Sequence, residues 1–145
     1  GGPRNYKLLS EMLLSHLASE DNAGGAAVRA GQAWGRYLVP PPAPSQRLSS
    51  DDGVARLTDL LSDVGFDPQL SPGAGADIEI RLRHCPFLEL AETHRELVCA
   101  LHLGLMQGAL EQLGIPLHAQ SLTPFADPHT CLAHLVPAGT GPGQR

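Results

Sequence analysis

Hydrophobic positions recur along the chain first at helical intervals and later at alternating ones, and the change of period marks out the elements. From Asn5 to Ser19, Tyr6, Leu9, Leu13 and Leu17 return at three- and four-residue steps while Glu11, Ser15 and Ser19 fall outside the stripe, which predicts an amphipathic helix. The polar run Ser19-Glu20-Asp21-Asn22 ends it. Ala23 to Leu38 is alanine-rich, with Val28, Trp34, Tyr37 and Leu38 as its larger residues. It reads as a second helix despite Gly24, Gly25, Gly31 and Gly35, each of which weakens a helix interior. Pro40-Pro41-Pro42-Ala43-Pro44 cannot continue that helix and predicts an extended linker. Ser49, Ser50 or Asp51 can then cap a third helix carrying Val54, Leu57, Leu60, Leu61 and Val64, with Gly65 as its stop.

Beyond Gly65 the period shortens. Phe66 to Leu70 is a short strand candidate, and Asp77 to Arg83 alternates polar and apolar strictly, placing Ile78, Ile80 and Leu82 on one sheet face. Ser71 to Ala76 supplies the turn between them. After His84-Cys85-Pro86, a short helix from Phe87 to Glu92 leads into a long one from His94 to Leu113, whose apolar stripe is Leu97, Val98, Leu101, Leu105, Met106 and Leu110. Gly114 and Pro116 terminate it. Two more strands, Leu117 to Leu122 and Cys131 to Val136, flank a loop holding Phe125. The order hairpin, long helix, hairpin predicts an α+β domain with a small antiparallel sheet of about four strands and an N-terminal helical segment. We divide the chain into N-terminal helices with the Pro-rich linker (1–48), an α+β domain (49–136) and a disordered tail (137–145).

Composition narrows the function classes. In 145 residues, 42% hydrophobic and 17% charged positions suffice for one core and argue against a disordered chain. A net charge of -5 without a Lys/Arg cluster removes the footprint that phosphate neutralisation requires, so this stretch is not expected to grip DNA or RNA by itself. No apolar run approaches the roughly 20 residues of a membrane span, and no secretory signal pattern is present, which makes the cytoplasm the default address. Gly1 to Asn5 reads like the interior of a longer protein.

Three cysteines, Cys85, Cys99 and Cys131, stand in a C-x13-C-x31-C arrangement, odd in number and wide in spacing, which speaks against a disulfide framework. They fall at element boundaries where ligands can converge. Cys85 precedes a helix whose N-terminal N–H groups are expected to lower its pKa and favour the thiolate. A fourth ligand is available in His102, three residues after Cys99 on the same helical face, or in His129 or His84. The plain alternative is that all three thiols fill core positions. Gly104 and Gly108, four apart in a good helix, imply close approach of a neighbour: a sheet, a second helix or subunit, or a ligand. With Phe87, Met106 and Phe125 they are the candidate walls of a ligand pocket, alongside Trp34, Tyr37 and Phe66. No G-x-S-x-G, H-E-x-x-H, phosphate-binding loop or dinucleotide glycine pattern occurs, so an enzyme is not expected.

The stretches Arg81-Leu82-Arg83-His84-Cys85-Pro86-Phe87, Glu96-Leu97-Val98-Cys99 and Gly108 to Gly114 resemble the C-terminal half of actinobacterial winged-helix transcriptional regulators of the ArsR/MarR-like group, related to the iron-sulfur biogenesis repressor. Pro3 to Leu8 similarly looks like the exit from a DNA-binding wing into a connecting helix. The resemblance covers Pro3 to Leu17 and Arg81 to Val136. It implies a homodimeric sensor with an upstream DNA-binding winged helix, in which Cys85, Cys99 and Cys131 hold an iron-sulfur cluster; zinc or no metal are the alternatives. Family members often carry a further cysteine beside the last one, whereas Thr130 and Leu132 flank Cys131 here. Gly104, Gly108 and Gly114 with a final Cys131 also resemble the small-molecule-binding V4R domain, which implies an organic effector and structural cysteines.

Overall fold

The polar punctuation of the chain becomes helix caps. In the computed structural model, which describes residues 2–124 and 130–139, α1 spans Tyr6–Ala18, and the Asn5 side chain accepts from the Leu8 N–H at 3.0 Å. α2 spans Ala23–Leu38 and α3 spans Ser50–Val64. Ser49 Oγ accepts from the Asp52 N–H at 3.0 Å, Asp51 and Asp52 occupy the first turn, and Gly65 closes α3 at φ 114°. The strands β1 (Pro68–Pro72) and β2 (Ile78–Leu82) come next, followed by α4 (Leu88–Leu113), β3 (Leu117–Pro124) and β4 (Cys131–Pro137). The two helices expected between Phe87 and Leu113 form one element with a kink, because His94 leaves helical geometry at φ -134° and ψ 48°.

The fold is α+β, with a four-stranded antiparallel sheet ordered β1-β2-β4-β3. The two expected hairpins join through β2 and β4, where Ile80 faces Ala133 and Leu82 faces Cys131. One sheet face buries Ile80, Leu82, Ala119, Ala133 and Leu135 against Met106, Ala109, Leu110 and Leu113 of α4 and Val54, Leu57 and Leu61 of α3. The opposite face carries polar groups: His118 is exposed, and His134 Nε2 pairs with Asp77 Oδ2 at 3.1 Å. A register shift interrupts the β3–β4 ladder between Ala119 and Ser121, and the Ala119 carbonyl accepts from Gln107 Nε2 at 2.9 Å. Gln107 Oε1 in turn accepts from Gln32 Nε2 at 2.8 Å, a polar bridge from α2 through α4 to the sheet.

The glycines explain how α2 and α4 come so close. A side chain on Gly31 or Gly35 would collide with the backbone of Leu101, Leu105 and Ala109, and one on Gly104 or Gly108 with the backbone of Val28 and Gln32. The contacts advance together along both helices, so the pair runs parallel, each glycine facing a carbonyl oxygen of its partner as in Cα–H···O packing. Of the neighbours considered for Gly104 and Gly108, the structure chooses a second helix of the same chain. Within the segment 1–48, α2 is packed along the central helix.

The α1 stripe is corrected. Leu14 is the buried residue of α1, and Leu17 packs beside it against Leu97, Val98 and Leu101. Tyr6, Leu9 and Leu13, expected to face the core, are 66%, 51% and 62% exposed. With Leu8, Met12 and Leu14 also apolar, the helix has hydrophobic residues on most of its circumference, and a periodicity count cannot say which arc meets the protein. Phe125, His129 and residues 140–145 of the expected tail lie outside the described residues.

Candidate functional site

Three elements separated in sequence deliver the cysteines to one place. Strand β2 ends at Leu82, and the chain turns into α4 through Arg83 to Phe87, which puts Cys85 at the head of that helix. Cys99 follows about three turns along α4. Cys131 opens β4, opposite Leu82 on one side and Pro124 on the other. All three are free and half-buried. They line two cavities, an inner one of about 20 Å³ shared with Phe66, Leu82, Val98 and His102, and an outer one of about 190 Å³ shared with Glu92 and Arg95. The three thiols are common to both linings.

Burial dominates the acid-base properties of this cluster. It pushes the Cys85 thiol up, outweighing the backbone N–H of Phe87 that pulls it down. The expected thiolate-favouring helix terminus is thus overridden by desolvation, a correction to the reading from sequence. Cys99 is also raised, by burial and then by nearby Cys85, with Arg95 opposing. Cys131 is pushed up to about 11, by burial first and by Cys99 and Cys85 next. Mutual electrostatic influence among the three thiols accords with their shared cavity walls.

His102 is the remaining polar group of the inner wall. It is 5% exposed, and burial lowers its pKa to about 3, so the ring is neutral. The imidazole stacks on Phe66 with centroids 3.8 Å apart and 19° between planes. Its Nε2 is buried without a hydrogen-bond partner, the one such side-chain atom among the described residues. A buried donor or acceptor left in this state costs about 1–3 kcal/mol, and such an atom calls for a functional explanation. His84 also borders the inner cavity but is exposed, and its Nδ1 is engaged with the Gly65 carbonyl at 2.7 Å.

The other candidates are placed as follows. Phe87 borders the inner cavity and meets Phe66 edge-on at 5.7 Å. Met106 is fully buried in the main core, and Gly104 and Gly108 lie against α2, so none of these three borders the cysteine cavities. Trp34 and Tyr37 pack edge-to-face on the surface at 5.3 Å. Glu92 and Arg95 were not foreseen in the outer lining, although their seven- and four-residue offsets from Cys99 place them on its side of a helix.

Three thiols with one neutral imidazole are a donor set suited to zinc or to iron-sulfur chemistry. Among the described residues, no three His, Cys, Asp or Glu side chains already stand in the geometry of a metal site. Among the same residues, no helix is long and apolar enough to cross a membrane. Comparison with known proteins finds no matching protein-family model and no matching curated protein.

Proposed function

We propose that this chain is the effector-sensing and dimerising part of a cytoplasmic DNA-binding transcriptional regulator, with a metal centre, an iron-sulfur cluster foremost, held by Cys85, Cys99 and Cys131. The observation that carries the reading is the convergence of three cysteines, from a turn, a helix and a strand, on one pair of cavities. Core-filling alone explains burial of a cysteine, but not why all three surround the same opening. A bound cluster would supply a link among the three elements that oxidants or metal loss can break.

The chain provides a route from this centre to its N-terminal helix. Cys85, Pro86 and Phe87 share one turn, and Phe87 lies between the inner cavity and an apolar groove of about 350 Å³ walled by Leu13, Leu14 and Leu17 of α1 and Leu90, Val98 and Leu101 of α4. Lys7 of α1 also reaches Glu89, at the start of α4, at 3.5 Å. The turn and α1 are therefore linked by shared contacts. The uncovered arc of Tyr6, Leu9, Met12 and Leu13 supports the homodimeric part of the reading, because a contiguous exposed apolar surface suits a partner. The same groove favours a second reading, an organic effector lodged between α1 and α4 with the cysteines structural.

Anaerobic reconstitution with ferrous iron and sulfide separates the two. The metal reading expects the wild-type chain to retain iron after desalting and Cys85→Ser, Cys99→Ser and Cys131→Ser each to lose most of it. Equal retention by all three variants, or none by the wild type, contradicts it and leaves the groove as the sensor.

A further inference from the structure

The structure assigns His102 Nε2 as a fourth protein donor to the metal centre, completing a Cys3His set with Cys85, Cys99 and Cys131. This inference rests on the metal reading above and names the ligand which that reading leaves open. Three observations support it. His102 borders the same inner cavity as all three cysteines. Its Nε2 is buried and has no partner, in a protein whose other buried side-chain polar groups among the described residues are satisfied. The ring is held from one side by the Phe66 stack at 3.8 Å, which fixes the imidazole plane without using either nitrogen.

Helix geometry makes the pairing natural. Cys99 and His102 are three residues apart on α4, so their side chains leave the same face, while Cys85 and Cys131 approach from the turn and the sheet. The inner cavity of about 20 Å³ is too small for an organic effector. The outer cavity of about 190 Å³ is lined by the same three cysteines with Glu92 and Arg95. His84, the other described histidine at the inner cavity, is exposed and has one ring nitrogen occupied by the Gly65 carbonyl.

The test uses two metals and needs no activity. Chain labelled with 15N-histidine is reconstituted anaerobically with iron and sulfide, reduced, and studied by pulsed EPR beside unlabelled chain. A directly coordinated histidine gives a strong nitrogen coupling that changes isotope with the label. That coupling is expected in the wild type, in His84→Ala and in His129→Ala, and is lost in His102→Phe, which keeps a ring against Phe66. In parallel, zinc is titrated against a chromophoric chelator, with cobalt as the spectroscopic stand-in. Changing residues that merely support a ligand already costs roughly 10–100-fold in metal affinity, so His102→Phe is expected to lose at least that much. A centre that forms without histidine coupling, or whose coupling disappears in His84→Ala or His129→Ala, overturns the assignment and leaves the three-cysteine reading standing. A wild type that takes up neither iron, zinc nor cobalt overturns both. If His102→Phe does not fold, the labelled wild type and the two other histidine variants still decide the matter.

Discussion

At the scale of single residues, His102 has a consequence even in the metal-free protein. Its folded pKa of about 3 lies below the ordinary 6.5, so the unfolded chain binds a proton that the folded chain refuses. The stability associated with the neutral ring is complete above pH 6.5 and declines as pH falls toward 3. The slope is about 1 kcal/mol per pH unit in that window. Urea midpoints at several pH values, wild type against His102→Phe, isolate it; the variant is expected to lose the additional acid sensitivity, and parallel curves would contradict the burial argument. The cysteines give a second prediction. All three thiols are raised and half-buried, so alkylation of metal-free protein near neutral pH should be slower than for an exposed cysteine, with Cys131 slowest, as read by peptide mass spectrometry. Fast modification of Cys85 would instead restore the helix-terminus effect expected from sequence.

At the scale of elements, the α2–α4 contact makes the sharpest prediction. Gly104→Ala and Gly108→Ala would gain helix propensity but drive a methyl into the backbone of Val28 or Gln32, which no rotamer change relieves. A net loss of about 1–3 kcal/mol or more is expected, from overpacking. Gly24→Ala, with open space around its added carbon, should be neutral or slightly stabilising. Thermal or urea unfolding measures the contrast, and similar behaviour of Gly24 and Gly104 variants would mean the helices are not held this closely. Much of this level was legible in sequence, because caps and breakers are local: Asn5, Ser49, Gly65 and Gly114 act where their chemistry predicts. Glycine spacing announced a close approach, though not its partner, since Gly31 and Gly104 are joined only by the tertiary fold. The arc of α1 that faces inward was illegible for the related reason that Leu8, Leu9, Met12, Leu13, Leu14 and Leu17 offer two apolar sides. The cysteine cluster could be suspected from boundary positions, and the Cys99–His102 pair from helical spacing. The neutral, unpartnered state of His102 depends on Phe66 and on burial, which no spacing reveals.

At the scale of the whole molecule, the layers run from α2 through α4 to the sheet, and the cysteine cavities lie where α4, the turn after β2 and the start of β4 meet. The uncovered arc of α1 sits at the other end of the Phe87 contact, so the proposed sensing and self-association surfaces are adjacent. Leu9→Glu with Leu13→Glu removes that arc's apolar character without touching buried Leu14. Sedimentation is expected to show a dimer for the wild type and a monomer for the double variant; a wild-type monomer would contradict the dimer proposal. The central claim is that the three cysteines hold a metal centre, and it is tested most directly on protein purified without oxygen. Metal and acid-labile sulfide analysis with a visible absorption spectrum should find iron, sulfide and a broad visible band, all lost in the triple Cys→Ser variant. Folded, colourless, metal-free protein that takes up no metal would contradict it.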